Sequence, residues 1–226
     1  IYNPLKRKDT GEQIYTGWVV GSEYVEGAGG WQTYWADMKK PEQPMRAEYF
    51  RGWVFHDPNW NPWSFDWAKD VDFARKRVGD MADMNDANLS AFKKRGGKII
   101  LYQGWADPIV SALDTAAFFG KMDKATGNAD FARLFMVPGM GHCANGPGAT
   151  NFTFAMNTDA DHDAVLALER WVEKGQAPER IVATRYKDRT PASGVAMTRP
   201  LCAYPRAPIY SGKVSTDDAA NFRSEE

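Results

Sequence analysis

A basic excess, metal-ligand spacing, a membrane-length apolar run and a nucleophile elbow are all missing from this sequence, and each absence removes a class of function. Lys and Arg number 28 against 29 Asp and Glu, a formal net charge of −1. No stripe of positive charge is there to neutralise phosphates, so nucleic acid is not an expected partner. The densest basic run, Lys93–Lys98 (KKRGGK), reads as the solvated end of a helix. Three His and two Cys fall in none of the spacings of a metal site, such as C-x-x-C or H-x-x-x-H, and no metal or cofactor is expected in this chain. No apolar run reaches membrane-spanning length and no signal peptide opens the chain, whose first residue, Ile1 rather than Met, suggests an internal start. No serine stands in G-x-S-x-G: Ser22 follows Gly21 directly, and Ser193 and Ser211 precede glycine directly. Gly27–Tyr34 (GAGGWQTY) is not a dinucleotide loop, because no strand precedes it and the glycine spacing is wrong.

What is present is a pair of short apolar runs, each leading into a loop with one chemically capable side chain. Lys98–Tyr102 is β-branched and apolar, the pattern of a central strand covered on both faces, and Asp107 follows on a loop closed by Pro108. Ser111 or Asp114 is placed to cap a helix through Leu113, Ala116, Ala117 and Phe118, which gives the strand–loop–helix order of an α/β unit. Arg133–Val137 makes a second strand broken by Pro138-Gly139, and His142 lies three residues beyond that glycine. In open α/β sheets ligands bind beyond the carboxyl ends of the strands, so both residues emerge on the functional edge. A histidine acting as general base needs a carboxylate on its other ring nitrogen to fix the tautomer and stabilise the imidazolium. Asp107 and His142, 35 residues apart in that order, meet this requirement. Ser111 is the serine nearest the acid, but its position reads as a helix cap.

Upstream, Glu48–Trp67 is dense in rings: Tyr49, Phe50, Trp53, Phe55, Trp60, Trp63, Phe65 and Trp67. Two readings stand. The rings form a small core of their own, or some of them, with Trp53, Phe55, Trp60, Trp63 and Phe65 as candidates, wall a pocket for a planar aryl ester. His56 beside Asp57 reads as a turn before Pro58. Asp66–Lys94 is mostly helical, with Trp67, Val71, Phe73, Ala74 and Val78 on one apolar side and Met81 and Met84 as core gap-fillers. Ala144–Asp159 is a glycine-rich return loop. Asp161 or Asp163 then caps a helix with Val165, Leu166, Leu168, Trp171 and Val172 on its apolar side, ended by Gly175. Two central strands leave a sheet edge in need of cover, so a companion chain or self-association is expected.

The segments GWADPIVS, VPGMGHC and ALERWVEKGQAPERIVATRY, with TGEQIYTGWVVGSE and DANLSAFKKRGGKIILYQGWADP before them and RPLCAYPRAPIYSG and DDAANF after, resemble the C-terminal part of the tannase and feruloyl esterase family. The resemblance covers nearly the whole chain. It implies an α/β fold, the C-terminal part of an α/β-hydrolase sheet (residues 81–226) with the C-terminal part of an inserted, aromatic-rich lid (residues 1–80). It implies a serine esterase acting on aryl or hydroxycinnamoyl esters, with Asp107 and His142 at the acid and base positions. The family's nucleophile lies on an earlier Cys-Ser-x-Gly-Gly elbow, which these residues lack, together with the oxyanion-hole amides and the calcium loop of the lid. Calcium, the serine and an N-terminal companion are therefore expected outside this chain. The resemblance further implies that Cys143 pairs with the cysteine before that serine, that the usual partner of Cys202 is absent, and that the protein is secreted or periplasmic. A Cys143–Cys202 bond and two free thiols remain the alternatives within the chain.

Overall fold

The computed structural model describes residues 1–23, 29–35, 46–153, 159–212 and 214–224. Gly27 and Ala28 of the glycine stretch, and residues 154–158 of the return loop, lie outside these.

The chain begins with a hairpin, β1 (Leu5–Lys6) antiparallel to β2 (Gln13–Tyr15), and a short helix α1 (Trp31–Trp35). A π-type turn over Tyr49–Val54 then leads to α2 (Asp70–Ala74), which continues through a second wide turn into α3 (Asp80–Ala82). Val71 and Val78 are the buried positions of this helical run, whereas Trp67, Phe73, Met81 and Met84 are exposed. The two methionines are therefore surface residues and not core fillers, because the run is too short and too shallowly docked to cover its far side.

Helix α4 (Ser90–Lys94) precedes the central unit: β3 (Ile99–Gly104), α5 (Ala112–Thr126) and β4 (Ala132–Val137), with the strands parallel and paired residue for residue from Ile99↔Ala132 to Gly104↔Val137. A parallel pair needs a crossover, and α5 supplies it. β4 is almost wholly buried, but Ile99–Gln103 of β3 are only half-buried, since among the described residues β3 pairs on one edge alone. The expectation that Lys98–Tyr102 is covered on both faces is therefore not met, while β4 is the buried strand of the pair.

Asp163 caps helix α6 (Ala164–Lys174) by accepting from the Val165 and Leu166 amides, and Gly175 ends it in the left-handed region at φ +69°. The face it buries is Ala164, Ala167 and Trp171, while Val165 and Val172 point outward and are exposed. The small alanines let the helix approach the sheet closely, which the larger valines on the expected face do not. Beyond Gly175 the segment RIVATRY, rich in β-branched residues, does not extend the helix. It is instead β5 (Arg180–Tyr186), antiparallel to β6 (Val195–Cys202), and a second antiparallel pair, β7 (Pro208–Tyr210) with β8 (Phe222–Ser224), follows. β6 reaches the central unit through an isolated bridge, Phe135↔Ala203, and a Tyr204 amide donated to the Leu134 carbonyl. One core joins them: Phe135, Val137 and Met140 pack with Phe152, Ala164, Ala167, Ile181, Ala183 and Leu201. That core sits directly beneath the loops that leave β3 and β4.

Candidate active site

Both loops leave the carboxyl ends of the parallel strands, and their backbones are stitched together before any side chain is considered. The Trp105 amide donates to the Val137 carbonyl at 3.0 Å, and the Ala106 amide donates to the Met140 carbonyl at 3.0 Å. This contact is possible because residue 104 has no side chain: a Cβ there would lie 2.2 Å from the Met140 oxygen. Glycine here is a requirement of close approach.

The side chains then meet. His142 Nδ1 lies 2.9 Å from Asp107 Oδ2. Asp107 is 3 % exposed, while the His142 side chain is 40 % exposed. The remaining capacity of the carboxylate is filled from its own loop and strand: Oδ1 accepts from the Ile109 amide at 2.8 Å and the Val110 amide at 3.0 Å, and Oδ2 also accepts from Gln103 Nε2 at 2.8 Å. A carboxylate so surrounded is fixed in direction, and it holds the imidazole with Nδ1 inward and Nε2 without a partner among the described residues. The left-handed backbone of Cys143 (φ +60°) turns the chain away immediately after His142.

Ser111 is not a candidate nucleophile. It occupies the first position before α5, but its hydroxyl makes no cap hydrogen bond to the helix and is instead buried, donating to the Gly17 carbonyl at 2.6 Å and accepting from the Thr16 hydroxyl at 3.1 Å. This correction exposes a latch that sequence reading missed: residues 15–19 lie against the acid loop, and Val19 packs on the cluster of Ala112, Leu134 and Met136. Tyr15 is held there too. Burial, then the charges of Asp114 and Asp107, push its hydroxyl up to about 12, against a hydrogen bond to Ser111 that pulls the other way. The other end of the hairpin is tied to the helical run, where Arg7 donates to Asp72 and to the Ala68 carbonyl and Arg75 pairs with Glu12.

The candidate aromatic residues divide. Phe55 stacks on Trp60 at 4.6 Å and lies parallel to Phe73 at 5.6 Å, and Phe50 joins both to Phe65, 5.0 Å away. Trp53 tilts onto Tyr49 at 6.3 Å and is 53 % exposed, and Trp63 is 66 % exposed. A cavity of about 290 Å³ runs beside the stack, lined by Ile14, Tyr49, Phe50, Phe65, Trp67 and Val71. His56 accepts at Nδ1 from Arg77, 3.0 Å away.

Both cysteines are free, Cys143 exposed and Cys202 buried against the Ser224 hydroxyl at 3.3 Å, so the chain contains no Cys143–Cys202 bond. Among the described residues no group of His, Cys, Asp or Glu is arranged to hold a metal ion, and no helix is long and apolar enough to cross a membrane.

Residues 1–225 match the family described as tannase and feruloyl esterase. The chain belongs to that family. It is 34 % identical over 258 aligned positions to an uncharacterized esterase of Xanthomonas campestris pv. campestris, covering 94 % of this chain and 42 % of that protein. It is 42 % identical over 159 positions to a mono(2-hydroxyethyl) terephthalate hydrolase of Piscinibacter sakaiensis, covering 69 % of this chain and 24 % of the relative. The crystal structure of an esterase from Aspergillus oryzae superimposes with a TM-score of 0.86 at 28 % identity, over all of this chain and 44 % of that one. The chain thus spans less than half the length of the relatives it matches.

Proposed function

We propose that this chain is the acid–base half of a serine-type carboxylic ester hydrolase, acting on aryl or hydroxycinnamoyl esters. The observation that carries the reading is the hydrogen bond from His142 Nδ1 to the buried, fully engaged Asp107 carboxylate, on adjacent loops at the carboxyl ends of two parallel strands. A serine from outside residues 1–226 gives its hydroxyl proton to His142 Nε2 as its oxygen bonds to the ester carbonyl carbon. Asp107 stabilises the imidazolium. His142 then returns the proton to the departing alcohol oxygen as the carbon–oxygen bond of the ester breaks, and a water molecule repeats the sequence to release the acid. Donors for the oxyanion come with the serine-bearing segment.

The aromatic unit supports the choice of substrate class. Stacked rings beside an open cavity suit a planar acyl or alcohol group, and family membership points the same way. The exposure of Cys143 beside His142 supports a bond to a cysteine next to the nucleophile, and the edge of β3 left unpaired among the described residues supports a strand from an N-terminal companion or a second copy. Secretion or a periplasmic location, and calcium in the remainder of the lid, follow from the family resemblance.

The test is a fluorophosphonate serine probe on the protein with its N-terminal companion segment, alongside turnover of methyl ferulate and of a short aliphatic methyl ester. Labelling of a serine outside this chain, with methyl ferulate favoured, is expected. Binding of the aromatic ester with neither label nor turnover would make the protein an aromatic-ligand binder instead.

A further inference from the structure

Gln103 is a polar side chain within an apolar strand, and every hydrogen-bonding group it has is used toward one end. Its Nε2 donates to Asp107 Oδ2 at 2.8 Å and, more weakly, to the Val110 carbonyl at 3.4 Å. Its Oε1 accepts from the Thr115 hydroxyl at 3.0 Å, in the first turn of α5. The amide has only one satisfactory orientation here: flipped, its oxygen would face the Asp107 carboxylate and its NH₂ would face a hydroxyl that already closes the network. We infer that Gln103, oriented by Thr115, is a positioning residue that fixes the Asp107 carboxylate for the base His142. The inference rests on the proposed roles of Asp107 and His142.

What the Gln103 donor prevents is rotation of the carboxylate. The two backbone amides hold only Oδ1. Oδ2 is held by His142, which must itself be held, and by Gln103. Without the Gln103 donor the carboxylate can swing about its Oδ1 anchor, and the imidazole loses the direction that keeps Nε2 toward the nucleophile. Thr115 acts one step further out. By accepting nothing from Gln103 and donating to its oxygen, the hydroxyl commits the amide's two hydrogens to the acid loop. The arrangement therefore spans three elements, the end of β3, the acid loop and the start of α5, and it touches no substrate.

The experiment measures kcat and KM for methyl ferulate in the assembled esterase carrying Gln103→Met, Thr115→Val, both together, and Thr115→Ser. Methionine keeps the volume and removes the donor. Loss of one hydrogen bond to a charged group predicts a fall in kcat of about tenfold for Gln103→Met, with KM changed less than about twofold. Thr115→Val is expected to lower kcat by about threefold, Thr115→Ser to restore it, and the double variant to match Gln103→Met alone, because the hydroxyl acts only through the amide. Equal kcat in Gln103→Met and parent, or losses that multiply in the double variant, would overturn the inference. Should Gln103→Met not fold, the Val and Ser substitutions at 115 decide it: no loss in the first, or no recovery in the second, overturns it. Full activity in His142→Ala would instead remove the acid–base reading, so the two failures are distinguishable.

Discussion

Gly104 lies so close under Met140 that a Cβ on it would sit 2.2 Å from the Met140 carbonyl oxygen. The same oxygen accepts the Ala106 amide. Close approach of these two backbones is what brings Asp107 and His142 within hydrogen-bonding distance, and it leads to the first prediction. Gly104→Ala forces the loops apart, at a cost of about 1–3 kcal/mol for an overpacked buried site. Urea unfolding should show the lowered midpoint, and kcat should fall with it. An alanine variant of parental stability would mean that the loops accommodate a methyl group and that the contact does not set the site.

The ring cluster separates its two readings by mutation. Phe50 contacts Tyr49, Phe55, Trp60 and Phe65 and is half-buried, whereas Trp53 is mostly exposed. Phe50→Ala should destabilise by about 2 kcal/mol, below the range for a fully buried ring, and Trp53→Ala by about 0.5 kcal/mol or less. Thermal melting reads both. A rise in KM for methyl ferulate in Trp53→Ala without a stability change would place that ring on the substrate, and an unchanged KM would leave it a surface residue.

Tyr15 sets a pH dependence. Burial and the charges of Asp114 and Asp107 raise its hydroxyl from 10.0 to about 12 in the folded chain. The raised value means that the unfolded chain releases this proton first, so the contribution is intact below about pH 10 and is lost as pH rises toward about 12. Ultraviolet phenolate titration of the parent against Tyr15→Phe should remove a late-ionising step, and the alkaline fall in stability should be shallower in the variant. If the step removed lies at the position of an ordinary exposed tyrosine, the packing of residues 15–19 on the acid loop is not as described.

The Asp107–His142 pair, its order and the α/β unit that carries it were legible because each depends on local signals: β-branched runs, a Pro-Gly break, a carboxylate and an imidazole at strand ends. The tether through Ser111 was not, because its partner Gly17 is 94 residues away and a serine before a helix has the ordinary appearance of a cap. Gln103 carries a readable sign, a polar residue in an apolar strand that must find a partner when packed, but its partners Asp107 and Thr115 are fixed only by the folded loop and helix. β5 has a strand-forming composition in Ile181, Val182, Thr184 and Tyr186, but its partner does not show in the sequence. Antiparallel pairing with Val195–Cys202, a tertiary contact, is what sets its register. The face of α6 was misjudged for a related reason, since alanines rather than valines permit close helix–sheet packing.

The central claim is that Asp107 and His142 act as one acid–base unit. Its most direct test is kcat for methyl ferulate in the assembled esterase with His142→Ala and with Asp107→Asn, each checked by circular dichroism for a retained fold. An asparagine at 107 keeps the shape but no longer fixes the tautomer of His142, so both substitutions should lower kcat by about a thousandfold or more. A rate within a few-fold of the parent in either variant would contradict the account.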